Sequence, residues 1–311
     1  MKYSMKKISK VSIILNLYMP HKELLDNILT RILEQKTSVK IEIVFIDKKT
    51  DQETHNLISK FQKENNSIDT SILKVAENLS FASSMNAGIK KAKNNIIVIL
   101  QQDCIPISQT WLQNLISPFE DSNVVATVSK VKFPDALWED LSPIAQSIML
   151  SEKGTICPLL DEKACAYRKE VLEKVGFFND RDFHTAGEDF DMYIKLSSQG
   201  KIEYPDATII HNHPTNLSSR LKKVGQYANG FGTLIRKHGK KMPRWYSGLI
   251  KATPLIGMFF FLVSYPFKKG ILLYPLYIMM TPLIHYIYVK GFWKGYISRS
   301  QSIDIFPTKI R

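Results

Sequence analysis

The first 131 residues alternate between short continuous apolar runs and stretches with helical spacing. The continuous runs, rich in β-branched and aliphatic residues, predict buried strands at 11–18, 39–46, 72–75, 96–100 and 124–131. The stretches with apolar residues three and four positions apart predict helices at 22–35, 50–62, 83–92 and 110–119. Strands that alternate with helices predict an α/β fold, with a Rossmann-like, doubly wound and mostly parallel sheet.

The pattern is less regular in the next hundred residues. Residues 133–165 show no sustained period and predict irregular structure. Beyond them the same criteria predict helices at 169–175, 188–199 and 217–238, and strands at 202–204 and 208–211. We therefore expect residues 1–240 to form one α/β domain.

Two strongly apolar segments, 252–267 and 270–289, lie close to the end of the chain. The charged residues Lys268 and Lys269 lie between them. Their basic flanks and boundary aromatic residues are typical of a membrane interface. The segments predict a hydrophobic helical hairpin within a membrane-associated region, 241–311. A pair of buried soluble helices remains an alternative. The two lysines would lie on the far side of a spanning hairpin, which leaves open an arrangement in the membrane plane.

The charge of the chain is concentrated in its last third. The net charge is +13, yet residues 201–311 alone carry 17 Lys and Arg against 3 Asp and Glu. Such a segment suits an anionic membrane, nucleic acid or an anionic substrate. Because long apolar runs interrupt the basic residues, we expect a membrane partner and no nucleic acid. Three cysteines are too few for a disulfide framework, and the N-terminus predicts no secretory signal, so we expect a cytoplasmic enzyme.

Carboxylates follow two of the predicted strands. Asp47 follows the second strand and Asp103 follows the run at 96–100. Ligands of doubly wound sheets bind at the carboxyl ends of the strands. Oxygen ligands at such a place suit Mg²⁺ or Mn²⁺ shared with substrate phosphates. An ordinary turn role for either aspartate remains open.

A denser group of ionisable residues follows further along the chain. The sequence Gly-Glu-Asp-Phe-Asp at 187–191 places three carboxylates in four positions at a helix start. Helix capping explains them individually, whereas a partly desolvated member of the group could act as a general base. His211 and His213 follow a predicted strand and are candidates for a metal or phosphate contact.

The order of these motifs resembles the family 2 glycosyltransferases, which have the GT-A fold. Residues 44–51 are similar to the apolar, Asp-Asp-Gly-Ser, Thr-Asp pattern of that family, and 78–82 with 86–89 resemble its N-x-G-F-A and N-x-G-I stretches. Residues 97–103 resemble the strand that leads into the Asp-x-Asp metal motif. Residues 164–176 resemble an acceptor-side segment, and 187–196 the Glu-Asp-x-Asp-Leu motif. The resemblance covers about residues 8–240, which it implies are the catalytic domain.

This sequence departs from the family pattern at several positions. Ile46 replaces the first aspartate of the second-strand motif, and Lys48-Lys49 replaces its Gly-Ser. The metal motif is Gln101-Gln102-Asp103, which keeps only the last carboxylate. Such a variant is similar to a rhamnosyltransferase-like branch, which hints at a deoxysugar donor.

The resemblance implies roles for individual residues and an inverting transfer with a divalent cation, Mn²⁺ or Mg²⁺. The catalytic pair is Asp189, the base, with Glu188. The donor-binding residues are Leu15, Asn16, Asp47, Asn78, Asn86, Gln102 and Asp103. The acceptor-binding residues are Arg168 and Asp191. The metal-binding residues are Asp103, His211 and His213.

We therefore expect an enzyme that transfers a hexosyl or deoxyhexosyl group from a nucleotide sugar to a glycan or lipid-linked acceptor. Its expected place is the cytoplasmic face of the cell membrane, in the synthesis of surface or glycoprotein glycans. Two alternatives remain: a non-catalytic binding protein with the same fold, and a sugar nucleotidyltransferase. The absence of a Gly-rich, basic N-terminal phosphate loop disfavours the second.

Overall fold

The computed structural model describes residues 8–183 and 186–298 of the 311-residue chain. Its strands are β1 Lys10–Tyr18, β2 Lys40–Lys49, β3 Asp69–Lys74, β4 Ile96–Gln101, β5 Cys104–Pro106, β6 Val124–Val128, β7 Lys130–Lys132, β8 Thr155–Ile156, β9 Ala164–Arg168, β10 Lys201–Glu203 and β11 Thr208–His211. Its α-helices are α1 Lys22–Leu33, α2 Gln52–Glu64, α3 Phe81–Lys91, α4 Trp111–Ile116, α5 Asp135–Glu139, α6 Pro143–Met149, α7 Lys169–Lys174, α8 Glu188–Ser197, α9 Leu217–His238, α10 Trp245–Lys251, α11 Ile256–Val263 and α12 Tyr274–Ile297.

The main sheet has seven strands in the order β10-β6-β9-β4-β1-β2-β3. Strands β1 to β4 are parallel in their pairings, whereas β9 runs antiparallel between β4 and β6. Helices cover both faces, so the strand interiors are fully buried in two hydrophobic clusters. The predicted α/β fold with a mostly parallel sheet is confirmed. The carboxyl ends of β1, β2 and β4 consequently meet at one edge.

A second, four-stranded sheet, in the order β5-β11-β7-β8, lies beyond that edge. The sequence predicted one strand over 124–131, but the chain divides at Ser129 into β6 in the main sheet and β7 in the second. The buried Ser129 hydroxyl accepts a hydrogen bond from the Trp111 indole, 3.1 Å away. Residues 133–165, predicted to be irregular, contain α5, α6 and β8 and the start of β9.

Local capping explains why α9 has the predicted bounds. The side chain of Asn216 accepts from the backbone N–H of Ser219 at 2.9 Å, and the Ser219 hydroxyl accepts from the N–H of Asn216 at 3.0 Å. This reciprocal pair satisfies donors that the first turn of a helix leaves free. Gly239 then follows the last helical residue with a positive φ of 54°.

The C-terminal apolar region packs on the rest of the protein through α9. Glycines bring α9 and α12 close together: a side chain at Gly291 would lie 2.5 Å from the Gly225 carbonyl oxygen, and one at Gly295 would collide with the carbonyl of Asn229. A hydrophobic cluster that includes Ala228 and Phe292 therefore crosses the predicted domain boundary at residue 240.

The two halves of the predicted hairpin differ in the structure. In the described part of the chain, one helical stretch, Ile271–Ile297, is long and apolar enough to cross a membrane. The first segment is broken, because Trp245–Lys251 and Ile256–Lys269 meet at a bend of 120°.

Candidate active site

A cleft of about 730 Å³ opens where the main sheet meets the second sheet and α9. Its walls come from the ends of β4 and β11, the loop before β9, the start of α8 and one face of α9. The ionisable residues that line it are Asp103, Glu152, Asp161, Glu162, Lys163, Glu188, Asp189, His211, His213, Arg220, Lys223 and Tyr227.

Pairing between β5 and β11 brings the predicted metal-binding residues together. The antiparallel register sets His211 opposite Cys104, and the N–H of Asn212 donates to the Asp103 carbonyl at 2.8 Å. As a result, Asp103 Oδ2 lies 3.0 Å from His213 Nδ1 and 3.4 Å from His211 Nε2. The two imidazole rings stack with their planes 8° apart.

The electrostatics of this group suit a divalent cation. Burial opposes ionisation of Asp103, but hydrogen bonds and charge from His211 and His213 hold its pKa well below the usual range. Burial lowers the pKa of His211 more than Asp103 raises it, so its imidazole is neutral near pH 7 and can bind metal.

Cys104 is close enough to join Asp103 and His211 around an ion. Burial, with the charge of Asp103, raises the pKa of its thiol well above the ordinary value. The thiolate is the form that binds metal. Of the residues grouped here, Asp103 and His211 are therefore better suited to a cation than Cys104, and His213 lies beside the same carboxylate. One carboxylate and two imidazoles fit Mn²⁺, with further positions left for substrate phosphates.

A left-handed glycine sets the start of α8 and hence the position of Asp189. Gly187 has φ 102°, and its turn packs tightly on α9, where a side chain at Gly230 would lie 2.5 Å from the Ala186 carbonyl oxygen. Asp189 then lines the cleft, and its Oδ1 accepts from the N–H of Phe190 at 2.7 Å. Burial, with the negative charges of Glu188 and Asp161, raises the pKa of Asp189 to about 8.

Two further carboxyl groups surround Asp189. Glu162 is only 3% exposed, and burial with the charges of Asp189 and Glu188 raises its pKa well above the usual range. Burial likewise raises the pKa of Glu188. Glu162 Oε1 and Glu188 Oε2 have no hydrogen-bond partner among the described residues. Buried polar atoms of this kind call for a ligand or water, since leaving them unpaired is costly.

Sequence reasoning missed Glu162 because residues 133–165 carry no periodic signal. The available clue was the run Asp161-Glu162-Lys163 directly before a short apolar strand. Lys163 forms an ion pair with Asp161. Burial alone would lower the pKa of Lys163, but the charge and hydrogen bond of Asp161 raise it overall. Lys163 therefore places a positive charge beside the carboxyl groups of the cleft.

Helix α9 adds a cationic wall that the sequence analysis also missed. Arg220, Lys223 and Tyr227 recur at spacings of three and four, so they share the helix face that lines the cleft. Arg220 contacts Glu152, and its buried Nε has no partner within the described ranges. Burial lowers the pKa of Lys223, helped by the charge of Arg220. An anion in the cleft would relieve this repulsion.

The predicted donor-binding residues near β1 and β2 have mixed placements. Asp47 lies at the end of β2, where Oδ1 accepts from the Thr50 hydroxyl at 2.8 Å and Oδ2 lies 3.4 Å from His55 Nε2. Asn16 Oδ1 is buried without a partner in the parts of the chain that are described. Asn78 lies exposed in the turn before α3.

Leu15 and Gln102 do not present free side chains. Leu15 is fully buried in the core, so it acts in packing. The amide of Gln102 bridges to β1, because Nε2 donates to the Tyr18 carbonyl at 3.0 Å and Oε1 accepts from the Tyr18 N–H at 2.8 Å. This bridge, rather than a ribose contact, is what the amide makes here.

Three other residues predicted to bind donor or acceptor, Arg168, Asp191 and Asn86, lie away from the cleft. Arg168 pairs with Ile96 at the far end of β4. Its guanidinium donates to three backbone carbonyls, those of Phe119, Asp121 and Val124.

Asp191 is fully buried with Lys195, Lys237 and His238. The Asn86 amide is paired twice with the backbone of Phe178, at 2.8 and 3.0 Å. The side chains of Arg168, Asp191 and Asn86 therefore hold the fold together rather than facing the cleft.

Comparison with known proteins agrees with this architecture. Residues 12–176 match the model of glycosyl transferase family 2. Chondroitin synthase of Pasteurella multocida (strain Pm70) is 24% identical over 214 residues. This match covers 57% of this chain and 22% of that protein. The chain thus spans about a fifth of the length of this curated relative.

Solved structures share the fold at low sequence identity. The mannosyltransferase PcManGT from Pyrobaculum calidifontis, in complex with GDP-Man and Mn²⁺, superposes with a TM-score of 0.59 and 16% identity over 96% of this chain and 78% of that one. GalNAc-T7 with UDP, GalNAc and Mn²⁺ superposes with a TM-score of 0.52 and 12% sequence identity, over 77% of this chain and 53% of that one. The sheet, the Asp103 cleft and the family match lead to one conclusion: this chain belongs to glycosyl transferase family 2.

Proposed function

We propose that this protein is an inverting glycosyltransferase that moves a sugar from a nucleotide-sugar donor to an acceptor hydroxyl. The observation that carries the proposal is that Asp189 and the Asp103–His211–His213 group line the same cleft. A buried carboxylate with a pKa near working pH is suited to remove the hydroxyl proton. Metal ligands in the same cleft are suited to hold the leaving diphosphate.

Asp103, His211 and His213 would hold a divalent cation, Mn²⁺ or Mg²⁺. When bound, such a cation neutralises charge on the diphosphate. Arg220 and Lys223 face the same space from α9 and would bind the phosphate oxygens directly. The Mn²⁺ in the PcManGT and GalNAc-T7 complexes supports a divalent cation as the cofactor.

Asn16 and Asp47 lie at the carboxyl ends of β1 and β2, where the nucleoside of the donor would bind. The unpartnered Oδ1 of Asn16 offers an acceptor for an N–H or hydroxyl group of the donor. In the acidic group, Glu188 and Glu162 would bind acceptor hydroxyls beside Asp189. The transferred sugar that we propose is a hexosyl or deoxyhexosyl group.

A glycan or lipid-linked acceptor in surface or glycoprotein glycan synthesis fits this assignment. It is supported by the family, by the similarity to chondroitin synthase and by the apolar C-terminal region. We place the enzyme at the cytoplasmic face of a cell membrane, attached by that region.

The test uses the full chain with a panel of nucleotide sugars in Mn²⁺. Asp189→Asn is expected to lower the transfer rate by about 10²–10⁴-fold while donor binding is kept. Asp103→Asn is expected to weaken donor binding as well, because the cation site loses its carboxylate. Glu203→Gln, on an exposed strand, is the matched control and should leave both unchanged.

Normal turnover by Asp189→Asn would reject the base assignment. The unmodified chain could also bind a nucleotide sugar but neither hydrolyse it nor transfer its sugar to any acceptor tested. That result would favour the alternative of a non-catalytic binding protein.

A further inference from the structure

The C-terminal region presents many large apolar side chains to solvent. Leu255 is 73% exposed, Val263 72%, Leu272 89% and Ile297 73%. The other exposed members are Ile256, Phe259, Ile271, Ile278, Met279, Leu283 and Tyr286. A soluble monomer rarely exposes so many large apolar side chains in one region, so they mark an interaction site. We define the apolar face as the exposed apolar side chains of residues 255–297.

Helix α12, which carries part of this face, is fixed at both ends to residues 8–240, which we call the catalytic part. At its N-terminal end, Tyr274 and Tyr277 pack on the cluster of Trp138 and Leu150. At its C-terminal end, Phe292 is fully buried in a cluster with Ala228. The guanidinium of Arg236 also donates to the Ser298 carbonyl.

This double attachment decides how α12 can meet a bilayer. Its 24 residues span about 36 Å, long enough by length alone to cross the hydrocarbon. A crossing would carry α9 and α6, with their polar surroundings, into the hydrocarbon as well. Burying unpaired polar and charged groups there is costly. The helix can therefore lie along the membrane but cannot cross it while docked.

The loop before α12 is held on the same side. Lys269 Nζ donates to the carbonyl oxygens of Ser151 at 2.7 Å and Lys153 at 2.9 Å, both on the catalytic part. Lys268 stands beside it, exposed. The two lysines that a spanning hairpin would place across the membrane are thus held next to the domain that contains the cleft.

The charge around the apolar face selects the kind of surface it fits. Residues 239–298 contain eight Lys and Arg and no Asp or Glu. An apolar face bordered by cations alone suits the boundary between acyl chains and anionic headgroups. A second copy of this chain would instead meet a border of like charges.

We propose that residues 245–298 form an in-plane membrane-binding surface for anionic phospholipid, docked on the catalytic part and crossing no bilayer. The proposal concerns where the chain lies and does not depend on the transfer reaction.

Cysteine labelling of the full chain in sealed vesicles tests the topology. Cys157 is exposed, whereas Cys104 and Cys165 are buried, so an impermeant maleimide on the native chain marks the side that holds the catalytic part. The Cys157→Ser variant has no exposed native cysteine and should not be labelled. Lys268→Cys or Ser298→Cys is then introduced into this variant, one at a time.

We expect both new cysteines to label from the same side as Cys157, with no further labelling when the vesicles are opened by detergent. Labelling of Lys268→Cys only from the opposite side would establish a spanning hairpin and overturn the proposal. Labelling of Lys268→Cys and Ser298→Cys from different sides would establish α12 as a span and overturn it equally.

Vesicle co-sedimentation tests the lipid. We expect binding to phosphatidylcholine vesicles that contain phosphatidylglycerol and much weaker binding to phosphatidylcholine alone. Leu255→Glu and Leu272→Glu should each weaken vesicle binding about tenfold or more, because each removes a leucine side chain that the bilayer would bury. Leu33→Glu, at a 44% exposed position of α1, is the matched control and should bind normally.

Two results would overturn the assignment of the surface. One is equal binding to both lipids by all variants. The other is a dimer that the Leu255→Glu variant dissociates with no change in vesicle binding, which would make the apolar face a contact between copies. Transfer activity is assayed in parallel, and an inactive protein with the expected labelling would count only against the proposed reaction.

Discussion

Asp189 has to be ionised to act as a base, although its surroundings favour the protonated acid. Burial and the charges of Glu188 and Asp161 raise its pKa to about 8. We therefore expect kcat/KM to rise with pH, to reach half its maximum near pH 8 and to level off above that. Glu188→Gln removes one of the neighbouring charges, so the rise should move to lower pH. The measurement is a pH–rate profile at saturating Mn²⁺, and a profile that stays flat from pH 6 to 9 in both proteins would contradict the role of Asp189.

The same burial makes Asp189 a source of instability. In the unfolded chain its pKa is about 3.9, so above that value the unfolded state is ionised while the folded state keeps the proton. Folding then becomes less favourable as pH rises from 4 to 8. Asp189→Asn should thus raise the free energy of unfolding by about 2–4 kcal/mol at pH 7.

Denaturant melts of the two proteins at pH 4 and pH 7 provide the test. The stability difference should shrink to about 0.5 kcal/mol near pH 4, where the unfolded carboxyl group is about half protonated. A variant that is less stable than the parent at pH 7 would show that Asp189 is ionised in the folded protein.

The sequence predicted some site residues and misplaced others for reasons of local geometry. Asp189 and Asp191 are two residues apart, and on a helix such residues point to nearly opposite sides. Asp191 accordingly faces Lys195 and His238 while Asp189 faces the cleft. Arg168 was misplaced because the direction of β9 cannot be read from its composition. Running antiparallel, β9 carries Arg168 away from Asp103.

At the level of elements, β11 links the proposed metal ligands to the fold. The strand is only four residues long and is held by β5 on one side and β7 on the other. We expect His211→Ala to weaken Mn²⁺ binding by about tenfold or more. The readout is the Mn²⁺-dependent rise in Tm. His21→Ala, an exposed residue before α1, is the control, and an unchanged Mn²⁺ response in His211→Ala would exclude that ligand.

Element prediction succeeded where a signal was local and failed where it was not. The bounds of α9 followed from its spacing, with caps at Asn216 and Gly239. The second sheet has strands of two to four residues, which exist only because distant segments pair. Its pairing of residues 104–106 with 209–211 is what assembles the cation site. Periodicity within one segment contains no information about such pairing.

At the level of the whole molecule, the seam between α9 and α12 joins the C-terminal region to the catalytic part. A side chain at Gly295 would collide with the Asn229 carbonyl. We expect Gly295→Ala to destabilise the protein by about 1–3 kcal/mol, although alanine is the better helix former. Ser218→Ala, exposed on α9, is the control. Chemical unfolding measures both, and an increase in stability for Gly295→Ala would show that the helices are not in contact.

The charge asymmetry of the chain has a structural counterpart. The near-neutral first 200 residues build six of the seven strands of the main sheet and most of the acidic side of the cleft, whereas the basic last third supplies α9 and the proposed membrane-binding surface. The sequence alone gave no reason to join the two, because the cluster of Ala228 and Phe292 spans residues 64 positions apart.

Helix α9 serves two surfaces at once, and this restricts how the protein can evolve. Arg220, Lys223 and Tyr227 face the cleft, while Gly225 and Gly232 on the same few turns face α12. Because both sets lie on one helix, a change that shifts or turns α9 against α12 also moves Arg220, Lys223 and Tyr227 in the cleft. Evolution of either surface therefore has to preserve the other, and a chimera that exchanges the C-terminal region has to keep the glycines of α9.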